Sequence, residues 1–218
     1  MNSIAGLSSP NNRRIVFGCA ALCMSIMAPS AGATIIYDES TSGDLSNSGL
    51  SPTILTVSTG SNEIFGSTGR NANGLDRDYL TFTVPSGFEL AGIIPLPGTA
   101  SGGLVSFIGL QAGAQVTVSP SASDATGLLG WWHYSATDIN TNILAEMSIP
   151  AMNSSGFSVP LGPGAYSLWI QDFNTGTFNY GFDLNIVAAA AAPEPTSYLL
   201  TAIGMLLIGA ASRRLRRV

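Results

Sequence analysis

Lysine is absent from this 218-residue sequence, histidine occurs once, at His133, and the only cysteines, Cys19 and Cys23, sit together in an early apolar stretch. Each absence removes a class of chemistry. With one histidine, histidine-rich metal sites and histidine-based triads are hard to build, and a thiol nucleophile needs a cysteine that the later chain lacks. His133, between Trp132 and Tyr134, is therefore read as a structural or exposed side chain. No Gly-x-Ser-x-Gly elbow is present. Charge is also scarce, at 10% of residues. Between Thr34 and Ala192 two arginines, Arg70 and Arg77, face twelve acids. A nucleic-acid partner requires a basic footprint, so that class is excluded.

No uninterrupted apolar run reaches the ~18 residues expected of a permanent membrane span. Two shorter runs lie near the ends. Arg13 and Arg14, the apolar stretch Ile15 to Met27 and the Ala31-Gly32-Ala33 site together read as a secretory signal peptide, cleaved after Ala33 by signal peptidase. The region after it then has no cysteine, and its core must hold without disulfides even in an oxidising compartment. Val16-Phe17-Gly18-Cys19 matches a lipoprotein box only loosely, because Cys19 follows Arg14 too closely. At the other end, Tyr198 to Ala211 is apolar on all sides, and Arg213, Arg214, Arg216 and Arg217 follow it. Fourteen residues rise about 21 Å as a helix, short of the ~30 Å hydrocarbon core. Arginine snorkelling and local thinning close that gap. A short membrane helix over about 197–212 is expected, with the arginines cytoplasmic and the preceding chain outside.

Pro193-Glu194-Pro195, the short apolar helix and the arginine cluster, in that order, resemble the PEP-CTERM sorting signal of Gram-negative bacteria. The resemblance covers residues 193–218. It implies that Pro193, Glu194 and Pro195 form the motif read by exosortase, a membrane protease or transpeptidase, and that Arg213, Arg214, Arg216 and Arg217 form the retention cluster. The protein would wait on the periplasmic side of the inner membrane and then pass to the cell surface or exopolysaccharide matrix. The sortase alternative requires a Leu-Pro-x-Thr-Gly motif, which is absent.

Between the two ends, no window shows sustained helical spacing. Phe178, Tyr180, Phe182, Leu184 and Ile186 alternate with polar residues and predict a strand with one apolar face. Leu80, Phe82 and Val84 alternate likewise before the turn Pro85-Ser86-Gly87. Further strands are expected near Thr53 to Val57, Glu89 to Ile94, Leu104 to Leu110, Gln115 to Val118, Leu128 to Tyr134, Ile143 to Met147, Phe157 to Val159 and Ala165 to Ile170. The fold class is all-β, an antiparallel two-sheet sandwich of jelly-roll type, flanked by the signal-peptide helix and the tail helix. The boundaries are 1–33 for the signal peptide, 34–187 for the sandwich, 188–192 for an alanine-rich linker and 193–218 for the tail. Asp76 to Gly87, Phe107 to Gly113 and Leu161 to Trp169 also resemble the bacterial pre-peptidase C-terminal type of β-sandwich, which implies a non-catalytic accessory domain and transfers no site residues.

Three candidate sites remain. Asn71, Asn73, Asp76 and Asp78 place oxygen ligands at two-residue steps around Gly74, as in a calcium loop. The EF-hand spacing fails, since Gly69 and Leu80 fall on ligand positions, leaving a looser calcium site or a plain polar loop. Paired acids for a secreted hydrolase would have to meet across the fold. Among aromatics, Trp169 shares the polar face of its strand with Ser167 and Gln171, and Trp131 and Trp132 point to opposite faces. Trp169 with Trp131 or Trp132 could stack on sugar rings, making exopolysaccharide a candidate partner. Otherwise a neighbouring loop covers them. No cofactor is implied, and the expected function is a non-catalytic surface or matrix protein.

Overall fold

The computed structural model describes residues 32–72, 74–103 and 106–190. The expected sorting tail (193–218), nearly all of the expected signal peptide and Asn73 lie outside them. Among the described residues nine strands form: β1 (Thr34–Asp38), β2 (Thr53–Ile54), β3 (Gly60–Asn71), β4 (Gly74–Val84), β5 (Phe88–Pro95), β6 (Ser106–Ala112), β7 (Gly130–Tyr134), β8 (Gly164–Gln171) and β9 (Phe178–Ala188). Two single-turn helices, α1 (Glu39–Ser42) and α2 (Leu144–Met147), join them. The architecture is mostly antiparallel β, as expected. Among the described residues no helix is long and apolar enough to cross a membrane.

Pairing runs along two ladders. One has the order β1-β3-β9-β5. The other is β2-β4-β8-β6-β7. The far ends of β3 and β4 pair as a hairpin, from Gly69↔Asp76 to Asn71↔Gly74, and link the ladders. Two pairs are parallel, β1 with β3 and β2 with β4.

The alternation read from the sequence explains the core. Tyr180, Phe182, Leu184 and Ile186 of β9 are buried, as are Leu80, Phe82 and Val84 of β4. Side chains from both ladders join one apolar cluster that includes Ile64, Leu90 and Ile93 on one side and Ile108, Leu110, Leu168 and Ile170 on the other. The Tyr134 and Phe182 rings meet at right angles with centroids 5.0 Å apart, connecting β7 to β9. Each such fully buried side chain contributes about 1.5–3 kcal/mol.

Several expected elements differ. Ile143 to Met147 is not a strand; Leu144–Met147 is a turn of helix, and Ile143, Leu144 and Met147 are all buried. A short apolar run is ambiguous between a strand and a buried helix, and here the helical spacing puts Leu144 and Met147 on one face. Gln115 to Val118 and Phe157 to Val159 form no strand. Instead the Gln111 side chain brackets Thr117, accepting from its backbone N at 3.0 Å and donating to its Oγ1 at 2.7 Å. Such a side-chain clamp replaces ladder bonds. β1 and the twelve-residue β3 lie outside the strands that the alternation predicts.

Candidate functional site

Five aromatic rings cross the outer face of the second ladder. Tyr79 pairs with Trp169, Trp169 with Gly109, and Gly109 with Trp131, so four neighbouring strands are in register. Gly109 leaves the gap that Phe107 fills, since a Cβ there would lie 3.0 Å from the tip of the Phe107 ring. Tyr79 stacks on Trp169 at 5.8 Å, Phe107 meets Trp169 edge-on at 4.9 Å and stacks on Trp131 at 6.1 Å, and His133 meets Trp131 edge-on at 5.1 Å. These separations are normal for aromatic pairs.

The two ends of this row differ. Val116 and Val118, on the connection between β6 and β7, pack on the Tyr79–Trp169 end. Trp169 is only 5% exposed, and its Nε1 donates to Gln171 Oε1 at 3.1 Å. Of the two alternatives for Trp169, a stacking surface or cover by a neighbouring loop, the structure corrects the first and shows the second: the alternation places the ring outward, and Val116 and Val118 cover it. Trp131 remains partly exposed, with Nε1 donating to the Ala151 carbonyl at 3.1 Å. It borders a cleft of about 200 Å³ shared with His133, Met152 and Phe173, of which Phe173 is 53% exposed.

Trp132 points the other way and packs partly against the core. Its Nε1 is buried with no hydrogen-bond partner among the described residues, as is Glu146 Oε2 of α2. Both residues line a second cleft, of about 330 Å³, which Trp131 also borders. An unsatisfied donor and an unsatisfied acceptor in one cleft is an uncommon arrangement in a native fold.

The acids meet elsewhere. Glu39 of α1, Asp44 after it and Asp78 of β4 each place a carboxylate oxygen within 4.8 Å of the other two. Parallel pairing of β1 with β3 delivers Glu39, whose Oε1 accepts from Leu45 N at 3.0 Å and Oε2 from Ser67 N at 2.8 Å. Asp78 is fully buried; Tyr180 Oη donates to its Oδ2 at 2.7 Å, while Oδ1 has no partner among the described residues. Burial, and then the Glu39 charge, push the Asp78 carboxyl up to about 9. Burial likewise raises Glu39 and, together with Asp44, raises Asp76. Gly66 makes room for the group, because a Cβ there would meet the Tyr180 hydroxyl and lie 3.0 Å from the Glu39 carboxyl carbon.

The candidate calcium ligands Asn71, Asp76 and Asp78 take separate places among the described residues. Asn71 and Gly74 are partners in the β3–β4 hairpin, and Asn73 lies outside the described residues. Asp76 accepts from Asn47 Nδ2 at 3.3 Å. Asp78 is inside, among acids that lie more than thirty residues earlier in the chain. As a glycosidase pair this cluster fits poorly, because such carboxyls must flank a sugar ring. Asp78 is sealed from solvent, and both Glu39 oxygens are occupied by backbone amides.

No protein-family model, curated protein or solved structure matches the chain.

Proposed function

We propose that this chain is an exported, non-catalytic protein of the cell surface or extracellular matrix, sorted through a PEP-CTERM/exosortase route. The observation that carries the reading is the ordered tail: Pro193-Glu194-Pro195, the apolar run Tyr198 to Ala211, then Arg213, Arg214, Arg216 and Arg217. A signal peptide over residues 1–33, removed by signal peptidase, fits the same route. The mature region is free of cysteine, and its strands are held by apolar packing. We read the two ladders as the two sheets of a jelly-roll-like sandwich, since their apolar faces share one core. The tail is then an address that holds the folded domain at the inner membrane until exosortase acts. Replacing Glu194 by alanine, or deleting residues 213–218, tests this by cell fractionation. The variant is expected to stay in the inner membrane or change in mature mass, and unchanged mass and location of both variants contradict the reading.

A second reading is binding of exopolysaccharide, and the Trp131 end of the aromatic row favours it. There a partly exposed indole lies beside two clefts, one of which holds the unpaired Trp132 Nε1 and Glu146 Oε2. Ring stacking plus a donor and an acceptor for hydroxyls is the usual make-up of a small polar-ligand site. Affinity electrophoresis in gels containing the host polysaccharide tests it: retarded migration supports the reading, and unretarded migration contradicts it.

A further inference from the structure

We propose that Glu39, Asp44 and Asp78 bind a calcium ion. This site is independent of the sorting tail and of the aromatic row.

Four observations converge on it. First, one carboxylate oxygen from each residue lies within 4.8 Å of the other two. Oxygens coordinated to Ca²⁺ at 2.3–2.6 Å are at most about 5 Å apart, so this spacing fits one ion. Second, Asp78 Oδ1 is buried with no hydrogen-bond partner among the described residues, although its sister oxygen is held by Tyr180. A buried carboxylate oxygen without a donor is a costly arrangement that a bound cation resolves. Third, among the described residues no basic group acts on Asp78. Arg70 and Arg77 are the only arginines between 34 and 192, where lysine is absent, and their Nε atoms donate to the Phe173 carbonyl and to Gln171. Fourth, the cluster is approached from its Glu39 and Asp44 side, because Glu39, Asp44 and Tyr180 line a surface cavity of about 620 Å³, with Asp78 behind them.

All donors are oxygens, and neither His nor Cys takes part, which suits a hard cation rather than zinc or copper. Water entering through the cavity completes the six to eight ligands that calcium takes. The ion would fasten the segment carrying α1 onto β4. It thereby links the segment after the first strand of one ladder to the second ladder.

The test uses the full chain purified in detergent and stripped with EGTA. Calorimetric titration with CaCl₂ is expected to show one site, with a dissociation constant on the order of 10⁻⁴ M, as in extracellular calcium modules. Thermal unfolding should shift upward by several degrees at saturation. Asp44 is exposed, so Asp44→Asn leaves the core untouched. It should weaken calcium at least tenfold, and so should Asp78→Asn, while circular dichroism stays that of the parent. MgCl₂ should bind at least tenfold more weakly. The proposal is overturned if ~10 mM CaCl₂ produces neither heat nor a melting shift on folded protein. It is equally overturned if both variants keep the parent affinity, or if magnesium binds as well as calcium.

Discussion

The Tyr180 hydroxyl donates to Asp78 Oδ2 at 2.7 Å, tying β9 of one ladder to β4 of the other beneath a group of acids. Around Asp78 stand Glu39, Asp44 and Asp76, with Tyr37, Tyr134 and Tyr180 as the neighbouring phenols. The Asp78 carboxyl is raised from its ordinary value to about 9, so the native state keeps a proton that the unfolded chain loses near pH 4. Stability from this group is therefore complete below about pH 4 and is lost as pH rises toward 9. Glu39 and Asp76, raised in the same direction, add to the trend. In EGTA, unfolding free energy should fall with pH across this window, by at most about 1.4 kcal/mol per pH unit for one proton. Asp78→Asn should flatten the slope. Denaturant melts at pH 5, 7 and 9 check this, and an equal slope in parent and variant contradicts it.

Asp172 behaves in the opposite sense. Burial pushes its carboxyl up, but donation from Ser106 Oγ at 2.6 Å, Gly102 N at 2.7 Å and Asn174 N and Nδ2 at 2.8 Å holds it below the usual carboxylate range. Its contribution is present above the unfolded carboxylate value and is lost as pH falls through the folded one. Asp172→Ala leaves buried donors without an acceptor. It should cost about 2–4 kcal/mol at pH 7, and less at pH 2.5, in urea unfolding.

Gly66→Ala should damage the acid site from the opposite strand. The new methyl would collide with the Tyr180 hydroxyl and press on Glu39. A loss of about 1–3 kcal/mol is expected from overpacking, together with weaker calcium binding. Gly74→Ala serves as the control, since a Cβ at Gly74 meets nothing within 4 Å. It carries a backbone strain cost of its own at φ +126° but should leave calcium affinity unchanged.

The tryptophans should separate folding from binding. Trp169→Ala removes a buried ring and should destabilise the fold by about 3–5 kcal/mol. Trp131→Ala should cost far less in stability and abolish retardation by the polysaccharide. Chemical unfolding and affinity electrophoresis on the same two variants read both effects.

The strands that were legible in the sequence are those whose inward positions are all apolar, such as Tyr180 to Ile186 and Leu80 to Val84. β3 was not, because its inward positions include Asn62 and Thr68 beside Ile64. Asn62 is nonetheless compatible with burial, since its Nδ2 donates to the carbonyls of Ser58, Gly60 and Leu184 and its Oδ1 accepts from Ser58 N. No periodicity can show such a network. The acid site was half legible: Asp76 and Asp78 drew attention as oxygen ligands, but Glu39 and Asp44 reach them only through a parallel β1–β3 pairing that leaves no local pattern. Trp131 and Trp132 were correctly expected on opposite faces. The cover over Trp169 comes from Val116 and Val118 in a loop held by the Gln111 side chain, a contact that lies outside any strand pattern.

The sorting claim is tested most directly by the intact mass of the wild-type protein recovered from the cell surface or matrix of its host. Cleavage after Ala33 and loss or replacement of the chain beyond the Pro193-Glu194-Pro195 region are the predicted result. A mature protein that still ends at Val218 with an unmodified C-terminus would contradict the account.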